Sequence, residues 1–152
     1  MPDPATSVSD ASKLQDVLTR YRDSHDGYLQ AAELISLPEL ATTFRDIAAR
    51  RAIISEEVAT LIEKDGFRPD LDGSNEAGLH RWWLRVRDKM TDQNHDANAV
   101  LSECIRGETE LARTLQGALD SESVLPSHIP ILTRALDEVK MAVRSFDVLV
   151  TT

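Results

Sequence analysis

The chain has one cysteine in 152 residues, Cys104, so neither an intrachain disulfide nor a cysteine zinc cluster can form. A disulfide-stapled secreted scaffold is thereby excluded, and a reducing cytoplasm is the expected compartment. Basic residues are also scarce: 17 Lys and Arg stand against 26 Asp and Glu, a net charge of -9 that repels phosphate backbones and anionic lipid surfaces. Neither nucleic acid nor membrane is expected as a partner. No stretch approaches the roughly 18 apolar residues of a membrane span, and MPDPATSVSDAS at the start lacks the basic and apolar regions of a signal peptide. Residues 1–11 read as a flexible tail ahead of one domain, 12–152. No segment alternates β-branched and polar residues as a strand would.

What the chain does have is a seven-residue beat. Leu14, Tyr21, Tyr28 and Ile35 repeat one position, and Leu18, His25 and Ala32 a second, which predicts a long amphipathic helix from Ser12 to about Ile35. Ser12 and Gln15 have the spacing of a capping box, as do Ser36 and Glu39 ahead of a second helix with Pro38 in its first turn. That helix carries Leu40, Phe44, Ile47, Arg51, Ile54, Val58 and Leu61, with Gly66 as its stop. A shorter amphipathic segment spans about 75–90. A third long helix, about 97–120, follows Leu101, Cys104, Glu108, Leu111, Leu115 and Ala118, with Gly107 allowing close helix approach. The last starts near Pro126 and follows Ile129, Leu132, Leu136, Val139, Val143, Phe146 and Val150.

Loop lengths select a topology. The first and last pairs of long helices have short links and must form antiparallel hairpins, whereas about thirty residues separate the second helix from the third. An all-α, ferritin-like four-helix bundle follows: two hairpins joined by a long crossover containing a short helix.

Three polar residues interrupt the apolar stripes near their centres: His25, Arg51 and Glu108. At about 1.5 Å per residue their heights along antiparallel helices nearly coincide, which predicts a central polar layer. Two readings of it are open. One is a buried Arg51–Glu108 ion pair with His25 as hydrogen-bond partner; the other is a remnant or alternative active centre. A ferritin-type di-metal site needs Glu-x-x-His on two helices, and here the position three after Glu57 is Thr60, three after Glu103 is Arg106 and three after Glu138 is Met141. His80, four residues after Glu76, together with His95 and His128 in loops, does not converge with these. Cys104 reads as a small core residue, and Tyr21 and Tyr28 as core aromatics that would form a redox pair only beside a metal. Asp70, Asp72, Gly73 and Glu76 miss the spacing of an EF-hand, and no phosphate loop or nucleophile elbow is present. On the short middle helix, His80, Arg81, Arg85, Arg87 and Lys89 accompany Trp82 and Trp83. Adjacent helical residues point about 100° apart, so one tryptophan can face a partner or a second copy of the chain, with Arg81 and Arg85 beside it.

Leu14 through Asp23, Gly27, Tyr28, Ala31, Ala32 and Glu33, then Gly73 and Ser74, then GLHRW at 78–82 and ECIRGE at 103–108, resemble a bacterial ferritin-like four-helix-bundle domain family of unknown function. The likeness covers roughly residues 12–150. It implies the bundle fold and kinship with stress-associated proteins and di-iron carboxylate proteins, without a settled activity. Phe146 before Asp147 stands where that family often has histidine, and Ser24 where it usually has glycine; the first removes a possible ligand. The expected function is a non-enzymatic structural, stress-related or protein-interaction role, without a cofactor. The alternative is a metal-binding oxidoreductase or storage protein holding iron or another divalent metal on inward carboxylates such as Glu57, Glu108 and Glu138.

Overall fold

The computed structural model describes residues 4–73 and 96–150, which contain four α-helices and no strand. These are α1 (Pro4–Leu34), α2 (Pro38–Lys64), α3 (Asp96–Leu119) and α4 (Ile129–Val150). None of them is long and apolar enough to cross a membrane. The four-helix, all-α expectation holds, and the ends differ in instructive ways.

α1 opens at Pro4, ahead of the Ser12 box, at a proline whose missing N–H and fixed φ suit a first turn. Gln15 does not reach back to cap. Its side-chain amide instead donates to the Asp70 carbonyl (3.0 Å) and accepts from the Asp70 N–H (2.9 Å), clasping the segment that follows α2. At α2 the Ser36–Glu39 box does not form either: Leu37 is the N-cap, extended and without a side-chain bond, and Pro38 begins the helix. Proline removes one orphan donor there and sets the entry angle, which makes the box dispensable. The predicted stop is observed. Gly66 takes φ +91°, its N–H bonds the Glu63 carbonyl, and the Phe67 N–H bonds the Ile62 carbonyl, a Schellman closure that only glycine reaches without strain. α4 starts three residues after Pro126, because the His128 carbonyl accepts the first helical bond, from Leu132.

The buried side chains form two compartments. One gathers Leu14, Val17, Leu18 and Tyr21 of α1 with Ile54 to Ile62 of α2, Leu111 to Ala118 of α3 and Leu132 to Val139 of α4. The other gathers Tyr28 to Ile35 with Ala41, Phe44, Ala48, Val100, Leu101, Cys104 and Phe146. Each compartment joins one end of every helix, so helix direction follows directly: α1 and α4 run one way, α2 and α3 the other. α1 packs along α2 and α3 along α4, while α1 borders α3 and α2 touches α4. Helices α2 and α3 therefore face each other across the diagonal.

The stripes are wider than the heptad positions. Val17, Ala31, Ala41, Ala48, Ser55, Ala59, Ile62, Val100 and Ala135 are buried as well. Leu40, Ile47, Val143 and Val150 are only half-buried, and Ile129 is exposed. Gly107 also departs from expectation: it lies on an exposed face of α3 with nothing within 4 Å of an added Cβ, so none of the four described helices packs closely on it.

Candidate functional site: a polar layer between two cores

Arg51 lies on the buried face of α2, one turn from Ala48 and from Ile54 and Ser55, and Glu108 lies on that of α3 between Cys104 and Leu111. The diagonal placement of these helices brings the two side chains together at the centre of the bundle. Arg51 Nη2 donates to Glu108 Oε1, with the two residues only 4% and 2% exposed. α1 supplies the flanks. The Arg51 guanidinium carbon lies 5.7 Å from the Tyr21 ring centroid and 5.9 Å from that of Tyr28, within cation–π range of both. Tyr28 in turn packs with Phe44 (5.7 Å) and Phe146 (6.2 Å), and those two meet edge to face at 6.0 Å.

Burial controls the proton affinities here. Desolvation pushes the Glu108 carboxyl up, and Arg51 only partly offsets this. For Arg51, desolvation is the largest influence and works against the cation, but the Glu108 carboxylate, its hydrogen bond and the two tyrosines together outweigh it and hold the guanidinium charged. Both tyrosines are pushed well above the usual phenol range by burial, with the negative charge of Glu108 adding to the shift. The Tyr28 hydroxyl lies beside Glu108 and the Tyr21 hydroxyl beside Arg51. Among the described residues neither hydroxyl has a hydrogen-bond partner, and neither does Arg51 Nη1.

His25, the third residue expected in this layer, does not join the pair. Its Nδ1 donates to Asp26 Oδ1 (3.0 Å), and its side chain is 22% exposed. The reason is angular: residue 25 lies about 60° around the helix from Tyr28, enough to turn it to the edge of the core. The tyrosines hold the place beside Arg51 that the heptad count allotted to histidine.

Cys104 is buried nearby, and desolvation, then the charges of Glu108 and Glu103, push its thiol far up. Burial and these charges therefore disfavour the thiolate that a nucleophile needs. Away from the layer, His128 is 1% exposed with Nε2 3.0 Å from Asp65 Oδ2. That separation is an ion pair's, yet its direction gives neither atom a hydrogen bond. Sequence placed His128 in a loop and gave no sign of this contact, since Asp65 caps α2 and His128 precedes α4, 63 positions apart.

A di-metal centre does not fit these donors. Glu108 is committed to Arg51 and Glu57 to Arg134 on α4, while Glu103 bonds Arg106 (2.9 Å). Among the described residues no three His, Cys, Asp or Glu side chains group as metal ligands would. A guanidinium at the bundle centre opposes any cation placed beside it. Trp82, Trp83, Arg81, Arg85, His80 and His95, and with them the segment expected to form a short middle helix, lie outside the described residues.

Residues 9–121 match the family model of a domain of unknown function (DUF2383), and the chain belongs to that family. No curated protein and no solved structure matches it.

Proposed function

We propose that this family member is a non-enzymatic, ferritin-like bundle with a structural, stress-related or protein-interaction role in a bacterial cytoplasm. The observation that carries the reading is the Arg51–Glu108 pair. In a di-metal bundle the centre is lined by carboxylates and histidines that share a cation. Here the centre holds its own cation, covalently attached to α2, and the Glu108 carboxylate is paired with it. The layer serves as an internal strut.

Ferritin-like topology is supported by helix direction. α2 ends and α3 begins at opposite ends of the bundle, and α2 is about 40 Å long at about 1.5 Å per residue. In this reading the link between α2 and α3 is the long crossover that returns along the bundle. Its described part starts that way: Asp70 is held on Gln15, and Gly73 sits so close to Asp23 that an added Cβ would lie 2.5 Å from Asp23 Oδ1. From Gln15 to Asp23 the segment covers about 12 Å of α1. This reading includes a short helix at about 75–90, with one of Trp82 and Trp83 turned outward beside Arg81 and Arg85 to meet a second copy or a protein partner.

The test exposes the full chain, free of chelating tags, to ferrous iron without oxygen and measures metal retained per chain beside Glu108→Ala. The expected result is no stoichiometric retention in either. Stoichiometric iron in the wild type, lost in Glu108→Ala, would replace this reading with the oxidoreductase or storage alternative.

A further inference from the structure

Three buried polar groups in the central layer have no hydrogen-bond partner among the described residues: Arg51 Nη1, the Tyr21 hydroxyl and the Tyr28 hydroxyl. Their residues converge, since the Arg51 guanidinium faces both rings at under 6 Å. Buried donors without partners are rare in folded proteins, and each costs its full desolvation. Immobilising one water costs less than leaving three such groups bare.

We infer that the layer is a hydration site, in which at least one internal water accepts a hydrogen bond from Arg51 Nη1 and bridges it to the hydroxyls of Tyr21 and Tyr28. The chemistry of the layer selects this guest over others. A metal cation is opposed by the guanidinium. An anion would have to sit beside the Glu108 carboxylate, which already neutralises Arg51. A small neutral molecule that both donates and accepts meets neither objection, and three polar partners are the usual number for a buried water. The ring distances agree. Centroids near 6 Å are at the outer limit of cation–π contact, too far for tight stacking of guanidinium on either ring. The competing arrangement is a dry layer, with the Tyr28 hydroxyl turned directly onto Glu108 and Tyr21 onto Arg51.

Water oxygen-17 relaxation dispersion, which counts long-lived internal waters, separates the two on the full-length chain. The wild type should show at least one such water, and the Tyr21→Phe/Tyr28→Phe double variant should show at least one fewer. An equal count in the two proteins, or none in the wild type, overturns the bridging site. Should the double variant fail to fold, a crystal structure of the wild type decides the matter. A water peak within about 3 Å of Arg51 Nη1 and of a tyrosine hydroxyl supports the site, and direct tyrosine bonds to Glu108 and Arg51 with no such peak overturn it.

Discussion

Replacing Arg51 by Met and Glu108 by Leu, first singly and then together, measures what the central pair does. Each single change leaves a charge in a layer where its partner was only 2–4% exposed, and an uncompensated buried charge costs about 3–5 kcal/mol. The double change leaves an apolar layer of similar volume and should lie between neutral and about 4 kcal/mol more stable than the wild type. With a urea m-value of about 2 kcal/mol/M, each single variant shifts the midpoint down by roughly 1.5–2.5 M, and the double variant restores it. The pH dependence adds a second signature. Burial raises Glu108, so between its unfolded value near 4.5 and its higher folded value the native state binds more protons than the unfolded state. Stability contributed at this site therefore falls as pH rises through that window, and the loss is complete above the folded value. Arg51→Met removes the guanidinium that holds the shift down, so its midpoint should drop more at pH 8 than at pH 4.5 relative to the wild type. Glu108→Gln should abolish this site's share of the slope. Single variants that each cost less than about 1 kcal/mol, or a double variant whose loss equals their sum, would refute a buried, coupled pair.

The clasp on α1 gives a local prediction: Gln15→Ala should cost about 1 kcal/mol in urea unfolding and speed hydrogen exchange at the Asp70 amide, which Gln15 otherwise accepts from. An unchanged Asp70 exchange rate would show that the segment is held by other means. Cys104 should resist Ellman's reagent at pH 8 in the native state and react only on unfolding, since burial and two carboxylates disfavour its thiolate; rapid native reaction would contradict that. If the middle segment carries an interface for a second copy, light scattering should give a dimer mass for the wild type and a monomer mass for Trp82→Ala/Trp83→Ala. A wild-type monomer at high concentration would remove self-association.

The helices and the Arg51–Glu108 meeting were legible because both depend on periodicity and rise, which repeat along the chain. Leu101, Cys104, Glu108, Leu111, Leu115 and Ala118 were all expected inside, and all are buried. The misses share a different cause. Ser12, Gln15, Ser36 and Glu39 carry short capping patterns whose groups have competing uses, and Gln15 found a better one in a backbone 55 positions away. His25 and the tyrosines differ by a fraction of a helical turn, finer than a heptad count resolves. His128 and Asp65 meet only because two helix ends lie at one end of the bundle, a juxtaposition that no local pattern encodes.

The central pair fixes height, and by itself it cannot fix direction. Arg51 is the fourteenth of the 27 residues of α2, and Glu108 the thirteenth of the 24 of α3, so reversing either helix would leave the two charges at nearly the same level. Direction has to come from what lies on either side. One compartment is mainly aliphatic, with Leu14, Leu18, Val58, Ile62, Leu115 and Leu132 around a single buried ring, Tyr21; the other sets Tyr28, Phe44 and Phe146 against Ala31, Ala32, Ala41 and Ala48. Large rings opposite alanines fill space only in that combination, because interiors are packed to crystal density. A reversed α3 would put Leu111 and Leu115 against the ring cluster, and Val100 and Leu101 at the aliphatic end. Overpacking at one end and voids at the other each cost a few kcal/mol. Height from an ion pair and polarity from unequal cores are thus separate devices. Removing the pair in the double variant should accordingly leave the helix order intact while loosening the vertical register of α2 against α3.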